Sequence, residues 1–169
     1  GGAPYVGTEL FHLTPGTLGF YFGAPALGYF FGNFFSGRYS TRIGINRMVF
    51  YGAMICSITA VTSLIAFGLG LGSPVVFFGL MTFIGTGNGM TIPNATSGML
   101  SVRPHLAGTA SGLGGAIMIG MGAILSALAG VVLTGADSAM PLLWLMAGTT
   151  VGGLAAAILV TQRAKAIGL

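Results

Sequence analysis

Three polar side chains stand in an otherwise apolar run: Asn88, Thr91 and Asn94, within "GTGNGMTIPNATSG". Their spacing places Gly87, Met90, Thr91, Asn94 and Gly98 on one helical stripe with Asn88 at its edge. The chemistry this stripe offers is hydrogen bonding, and an amide in hydrocarbon is costly unless it finds a partner or a watery cavity. That face is therefore expected to look inward. Groups able to do covalent chemistry are scattered. His12 and His105 fall in opposite connections and cannot share a metal or a nucleophile, and Glu9 and Asp137 are the only acids. No Ser, His and acid can be assembled on one side of a membrane from this inventory, which disfavours an intramembrane hydrolase. The single Cys56 excludes an internal disulfide and any multi-cysteine metal site, and its apolar neighbours mark it as a small buried filler. "GTGNG" and "GLGLG" lack the preceding strand and the following Lys-Ser/Thr pair of a phosphate loop, so helix packing explains them better. Asn94-Ala95-Thr96 matches a glycosylation acceptor but lies where no glycan could be added. No catalytic residue, metal site or cofactor is expected.

The elements that must position the stripe follow from composition. Charged residues are 5% of the chain, against about 25% in an ordinary soluble domain. With 54% hydrophobic residues and 31 glycines, a water-soluble fold would expose large apolar patches, so the lipid bilayer is the expected surroundings. The net charge of +4 comes from scarce acids, not from many bases, and no basic patch interleaved with aromatics suggests nucleic acid. Crossing about 30 Å of hydrocarbon takes roughly 20 apolar residues. Five segments qualify, over about 17–35, 48–69, 75–99, 106–133 and 141–160, joined by short connections that make neighbours antiparallel. Gly1 to Phe11 is too short to cross alone and is read as the tail of a sixth helix whose beginning is missing. The chain is thus expected to be a piece of something longer.

Alternating the connections puts Arg38, Arg42 and Arg47, then Arg103, then Arg163 and Lys165 on one face, with Glu9 and Asp137 on the other. The positive-inside rule makes the basic face, and the C-terminus, cytoplasmic. Small residues should let the helices approach closely. The fourth segment carries two small-residue stripes, Gly108, Gly112, Ala116, Gly120 and Ala110, Gly114, Met118, Gly122, Ser126, Gly130, and both flanks are expected to be buried. Shorter stripes are Gly28, Gly32, Ser36 and Gly148, Gly152, Ala156; a bundle with such smooth faces could slide or rock. Pro25 and Pro93 lie inside helices and predict kinks.

The turn between the first two segments can now be read. Gly37-Arg38-Tyr39-Ser40-Thr41-Arg42-Ile43-Gly44-Ile45-Asn46-Arg47 resembles the "G-R-x-S-D-R-x-G-R-R" loop of the major facilitator superfamily, in the copy joining the eighth and ninth of twelve helices. Arg103 to Gly130, "RPHLAGTASGLGGAIMIGMGAILSALAG", is similar to the tenth-to-eleventh helix region of the Bcr/CflA group of drug-resistance transporters. The group's "P-x-x-A-G-T-A-S" is matched by Pro104, Ala107, Gly108, Thr109, Ala110 and Ser111. The opening "GGAPYV" fits the late part of their seventh helix. The resemblance implies an all-α integral membrane fold, the second six-helix half of a major facilitator transporter, here the end of helix seven plus helices eight to twelve. It implies a proton-coupled exporter of varied, often cationic or amphipathic drugs across a bacterial inner membrane, working with the N-terminal half of the same transporter.

Under that resemblance the loop residues Gly37, Arg38, Arg42, Gly44 and Arg47 have two readings: fixing topology, or a cytoplasmic gate in which Arg38 or Arg42 grips helix ends or acids. The sequence departs from the motif, since Thr41 stands at the acid position and Ile45-Asn46 replaces a basic pair. For substrate, the candidates are Asn88, Thr91 and Asn94, with Met90, Met118 and Met121 as adaptable contacts and Tyr5, Tyr21 and Phe22 as stacking partners for a cation. No full span has an ionisable residue in its central part, so a proton-coupling group is expected in the missing portion. Two alternatives stay open: a porter of the same fold for a defined metabolite, and a non-transporting membrane scaffold.

Overall fold

A computed structural model describes residues 2–166. Gly1, the first residue of the "GGAPYV" match, and the Lys165 side chain, part of the basic cluster near the end, lie outside what is described. The chain is all-α. A short helix α1 (Ala3–Tyr5) continues as a π turn over Val6–Leu10, followed by α2 (Pro15–Ile43), α3 (Ile45–Gly68), α4 (Pro74–Ser101), a 3-10 turn (Pro104–Leu106), α5 (Ala107–Leu133) and α6 (Met140–Ala166). No strand occurs among the described residues.

Helix starts follow local chemistry. Thr14 and Ser73 cap α2 and α4, their hydroxyls accepting from the backbone N–H of Thr17 and Val76, and each is followed by a proline at the first helical position, where a missing N–H costs nothing. Both helices run uninterrupted through Pro25 and Pro93.

Helices α3, α4, α5 with its preceding turn, and α6 are long and apolar enough to cross a membrane. The 29-residue α2 is long enough but not among them, because Tyr21, Pro25, Tyr29, Asn33 and interspersed glycines lower its mean hydropathy. Exposed large side chains such as Phe20, Leu27, Phe30, Phe34, Ile119 and Val131 form a surface suited to lipid, not water.

Helix α4 is central, packed against α2 on one side and α3 on the other. Glycine makes both contacts possible. A side chain at Gly28 or Gly32 would strike the backbone of Thr82 or Thr86, and one at Gly85 or Gly89 would strike the backbone of Pro25 or Tyr29. The two helices thus exchange glycine faces, in keeping with the expected Gly28, Gly32, Ser36 stripe, all three of which are buried. Across the other seam Gly52 and Gly87 face each other, with the Cys56 sulfur against Gly87. Helix α6 lies along α3, tied by the Ser57 hydroxyl donating to the Thr150 carbonyl at 2.9 Å.

At one end of the bundle Val6, Phe77, Phe78, Ala129, Leu133 and Leu143 form a closed apolar cluster. It gathers the start of α4, the end of α5 and the start of α6. At the opposite end Ser40, Thr41, Arg47, Ser97 and Ala164 meet, so the cations of the α2–α3 connection and of late α6 share one end.

Three expectations need correction. The turn expected over Ser36 to Met48 is a single residue: α2 runs to Ile43 and α3 starts at Ile45. Gly44 has φ 95° and ψ 143°, a conformation essentially restricted to glycine, and so reverses the chain alone. The α5 flanks are not buried: Gly108, Gly112, Gly120, Gly122 and Gly130 have no neighbour within 4 Å of an added side chain. Helix α5 is held towards its ends, by Ala129 and Leu133 in the cluster and by Gly114, where any added side chain would strike the Met99 sulfur. Likewise Gly148 and Gly152 face open space, and α6 packs through Leu143, Ala147 and Ala157 instead. Small residues permit close approach; they do not say which neighbour comes.

Candidate functional site

The polar stripe of α4 is split between two faces. Asn94 is buried, its side-chain amide donating to the Ser36 hydroxyl at 2.6 Å and to the Met90 carbonyl at 2.7 Å. Both bonds come from the same amide nitrogen, so Asn94 bridges α4 to α2 one turn beyond the Gly32/Gly89 crossing. Only a glycine-lined contact brings Ser36 near enough for this. Met90 is also buried, its Cβ 3.1 Å from where a side chain on Gly52 would begin.

Asn88 and Thr91 lie on the other side of α4, along a cavity of about 380 Å³ between α3, α4 and α6, the Thr91 hydroxyl itself being turned against Gly52 of α3. Val49, Ala53 and Cys56 form its floor, Ile84 continues the α4 wall, and Met146, Thr149, Thr150 and Gly153 form the α6 wall. The Cys56 thiol has the Ile84 carbonyl at 3.5 Å and Asn88 Oδ1 at 3.7 Å as alternative acceptors for its single proton. The hydroxyls of Thr149 and Thr150 donate back to carbonyls of their own helix, which leaves their oxygens able only to accept from a ligand. Thr91 differs: its hydroxyl oxygen is buried without a hydrogen-bond partner, a state that costs on the order of 1–3 kcal/mol. It is the one unsatisfied buried side-chain polar atom among the described residues, and it sits in this wall.

The remaining candidates are elsewhere. Met118 and Met121 on α5 are 59% and 52% exposed and line neither this cavity nor the cation-bearing end. Tyr21 stacks on Phe78 with ring centroids 5.2 Å apart, Phe22 meets Phe78 edge-on at 5.5 Å, and Tyr5 packs against the apolar cluster. These rings pack into the apolar end of the bundle, away from the arginines. Gly37, Arg38 and Arg42 are exposed on the last turns of α2 and Arg47 is exposed on the first turn of α3. No ion pair involves them among the described residues; the two acids lie in the π turn and in the α5–α6 connection, at the other end.

Sequence reasoning missed the α6 wall. The signal was the Thr149-Thr150 pair, two hydroxyls inside an apolar span. Together the geometry offers hydrogen-bond donors and acceptors in an otherwise apolar, membrane-level cavity: a place to bind, with no nucleophile–base pair and, among the described residues, no His/Cys/Asp/Glu group able to hold a metal.

Among curated proteins the chain is similar to the bicyclomycin resistance protein homolog of Haemophilus influenzae, with 27% identity over 146 residues, 86% of this chain. The chain spans 36% of that relative's length. No protein-family model matches, and no solved structure matches.

Proposed function

We propose that the chain is the end of helix seven plus helices eight to twelve of a Bcr/CflA-type major facilitator transporter, which exports amphipathic or cationic drugs by alternating access in exchange for protons. The observation that carries the proposal is the similarity to a drug-resistance protein along 86% of the chain, beside the resemblance of the loop and "P-x-x-A-G-T-A-S" stretches to the family's motifs. The fold supports it. Glycine-to-glycine seams around α4 have few interlocking side chains, and the exposed small-residue faces of α5 and α6 suit a second helical half. Under this reading α2, with its moderate hydropathy, is a span that meets lipid along its exposed phenylalanines and that half along another face.

Within the site, Asn88 offers hydrogen bonds to substrate and Thr91 forms part of the cavity wall, while Asn94 acts chiefly on helix packing. The arginines at the Gly44 end hold the cytoplasmic side of an inner-membrane protein with a cytoplasmic C-terminus. Arg38 and Arg42 gate only if acids come from the N-terminal half, which also supplies the proton-coupling group.

The test is accumulation of a fluorescent cationic drug in cells lacking other exporters, with and without expression of the intact transporter. Expression should lower accumulation, and a protonophore should abolish the difference. Equal accumulation across several drugs would contradict the export reading.

A further inference from the structure

Helix α5 is anchored like an arch. At one end Ala129 and Leu133 are buried in the apolar cluster. At the other, Gly114 lies so near Met99 of α4 that no side chain fits between them. From Gly114 to Ala129 is about 22 Å of helix, and over that stretch α5 scarcely touches α4 or α6. Helical spacing puts Met118, Gly122 and Leu125 on the side that carries both anchors, with Met121 beside them. Both methionines are more than half exposed, and nothing lies within 4 Å of a side chain added at Gly122. The inner side of α5 is thus apolar, turned toward its own bundle, and unpartnered among the described residues.

The first described residues lie at the head of this arch. A side chain at Gly7 would strike Leu18 of α2 and come within 3.6 Å of Phe78 of α4. One at Gly2 would instead meet Leu133 at the end of α5, at 2.7 Å, and Leu142 at the start of α6, at 2.8 Å. Val6 between them is fully buried. From Gly7 back to Gly2, therefore, the chain passes from α2 and α4 to the junction of α5 and α6. The chain spans 36% of its relative's length, which leaves ample room for a whole membrane helix ahead of Ala3. Since Gly2 sits at the end opposite the arginines, a helix entering there has crossed the bilayer from the cation-bearing end.

We propose that the helix running into Ala3 crosses the membrane under α5, with Met118, Met121 and Leu125 packed onto it and its backbone in close approach at Gly122. The two methionines then serve a helix contact, not a drug, as flexible side chains that fill an irregular seam. A lipid in the same place would have to share the head of the arch with the buried stretch from Gly2 to Val6. The side of α5 bearing Gly112, Ala116 and Gly120 points elsewhere on helical spacing and is left for the N-terminal half. The inference rests on the proposed function in one respect, that a membrane helix runs into Ala3; it does not rest on drug export.

In the intact transporter, the photoreactive residue benzoylphenylalanine would replace Met118 and, separately, Leu113, an exposed residue about 140° away around α5. After irradiation and digestion, mass spectrometry identifies the attached peptide. The probe at Met118 should capture a peptide from the roughly 25 residues directly ahead of Gly1, and the probe at Leu113 should not. Gly122→Leu gives a second reading without a bulky probe. Leucine is a better helix former than glycine, so on an unpacked side it would leave the melting temperature of the purified transporter unchanged or raise it. Against a close-packed helix it should lower that temperature by about 5 °C. Capture at Met118 of a peptide from farther upstream, of a second copy or of lipid alone would overturn the seat and leave the transporter reading standing. So would capture of the same peptide from both positions, or a Gly122→Leu protein as stable as wild type. An upstream sequence with no apolar stretch of about 20 residues ahead of Ala3 would sink both.

Discussion

Replacing Gly89 by alanine should pry α2 from α4. A methyl group there would sit 2.5 Å from the Tyr29 carbonyl oxygen, 2.8 Å from the Asn33 nitrogen and 3.0 Å from the Gly32 carbonyl carbon. All three are backbone atoms, so no rotamer change relieves the clash. Ordinary contact begins near 3.4 Å, and the helices must therefore separate locally by about 0.9 Å. A gap of that size forfeits about a quarter to a half of the dispersion energy of each atom pair across the seam. It also stretches the 2.6 Å bond from Asn94 to Ser36 about one turn away. Overpacking of this kind costs about 1–3 kcal/mol. Alanine favours the helix by about 1 kcal/mol over glycine, which could mask the effect. Gly79→Ala in the same helix supplies the control, since nothing lies within 4 Å of its added methyl. The propensity gain is common to both substitutions and cancels. Equilibrium unfolding of the intact transporter by SDS in mixed micelles, followed by far-UV circular dichroism, should therefore find Gly89→Ala about 1–3 kcal/mol less stable than Gly79→Ala. Equal stabilities would refute the glycine-seam account of how α2 meets α4.

Asn94→Ala should cost about 0.6–1.7 kcal/mol in the same assay, the range for interhelical hydrogen bonds in membranes, and Ser36→Ala should add little on top of it because the two changes remove one bridge; additive costs would mean that the bond does not form. Thr91→Val should be neutral or stabilising, as its hydroxyl is buried without a partner and removing such a group relieves a desolvation cost. A loss above about 1 kcal/mol would reveal a partner for that hydroxyl. Asn88→Ala, at an exposed position facing the cavity, should leave stability within about 0.5 kcal/mol and change the relative export of several drugs; an unchanged profile would remove Asn88 from the substrate path.

Much of this architecture was legible from residue types. Hydropathy located α3, α4, α5 and α6, the helices apolar enough to cross a membrane, while α2, also expected as a span, falls outside that set; Thr14-Pro15 and Ser73-Pro74 begin two helices slightly ahead of the expected bounds. The Gly28, Gly32, Ser36 stripe identified a buried face because glycine there has a physical consequence, the approach of two backbones. The same reasoning failed for Gly108, Gly112 and Gly120, since a face fit for close contact carries no information on whether its partner is within the described residues. The polar stripe was legible as inward-facing, yet residues three apart on a helix differ by about 60° in direction. That angle suffices to send Asn94 to α2 and Thr91 toward α3 and α6. The α2–α3 reversal was missed by length: the basic residues looked like loop composition, whereas Gly44 alone turns the chain and leaves Arg38 and Arg42 on helix.

The threading of this bundle through the bilayer is open to direct measurement. In the intact transporter with Cys56→Ala as background, and any other accessible cysteines removed, Arg42→Cys and Asp137→Cys would be treated with a membrane-impermeant maleimide in right-side-out and inside-out vesicles. Arg42→Cys should react only in inside-out vesicles and Asp137→Cys only in right-side-out ones. Labelling of both from the same side would contradict a membrane-spanning bundle with its cations gathered at the cytoplasmic end.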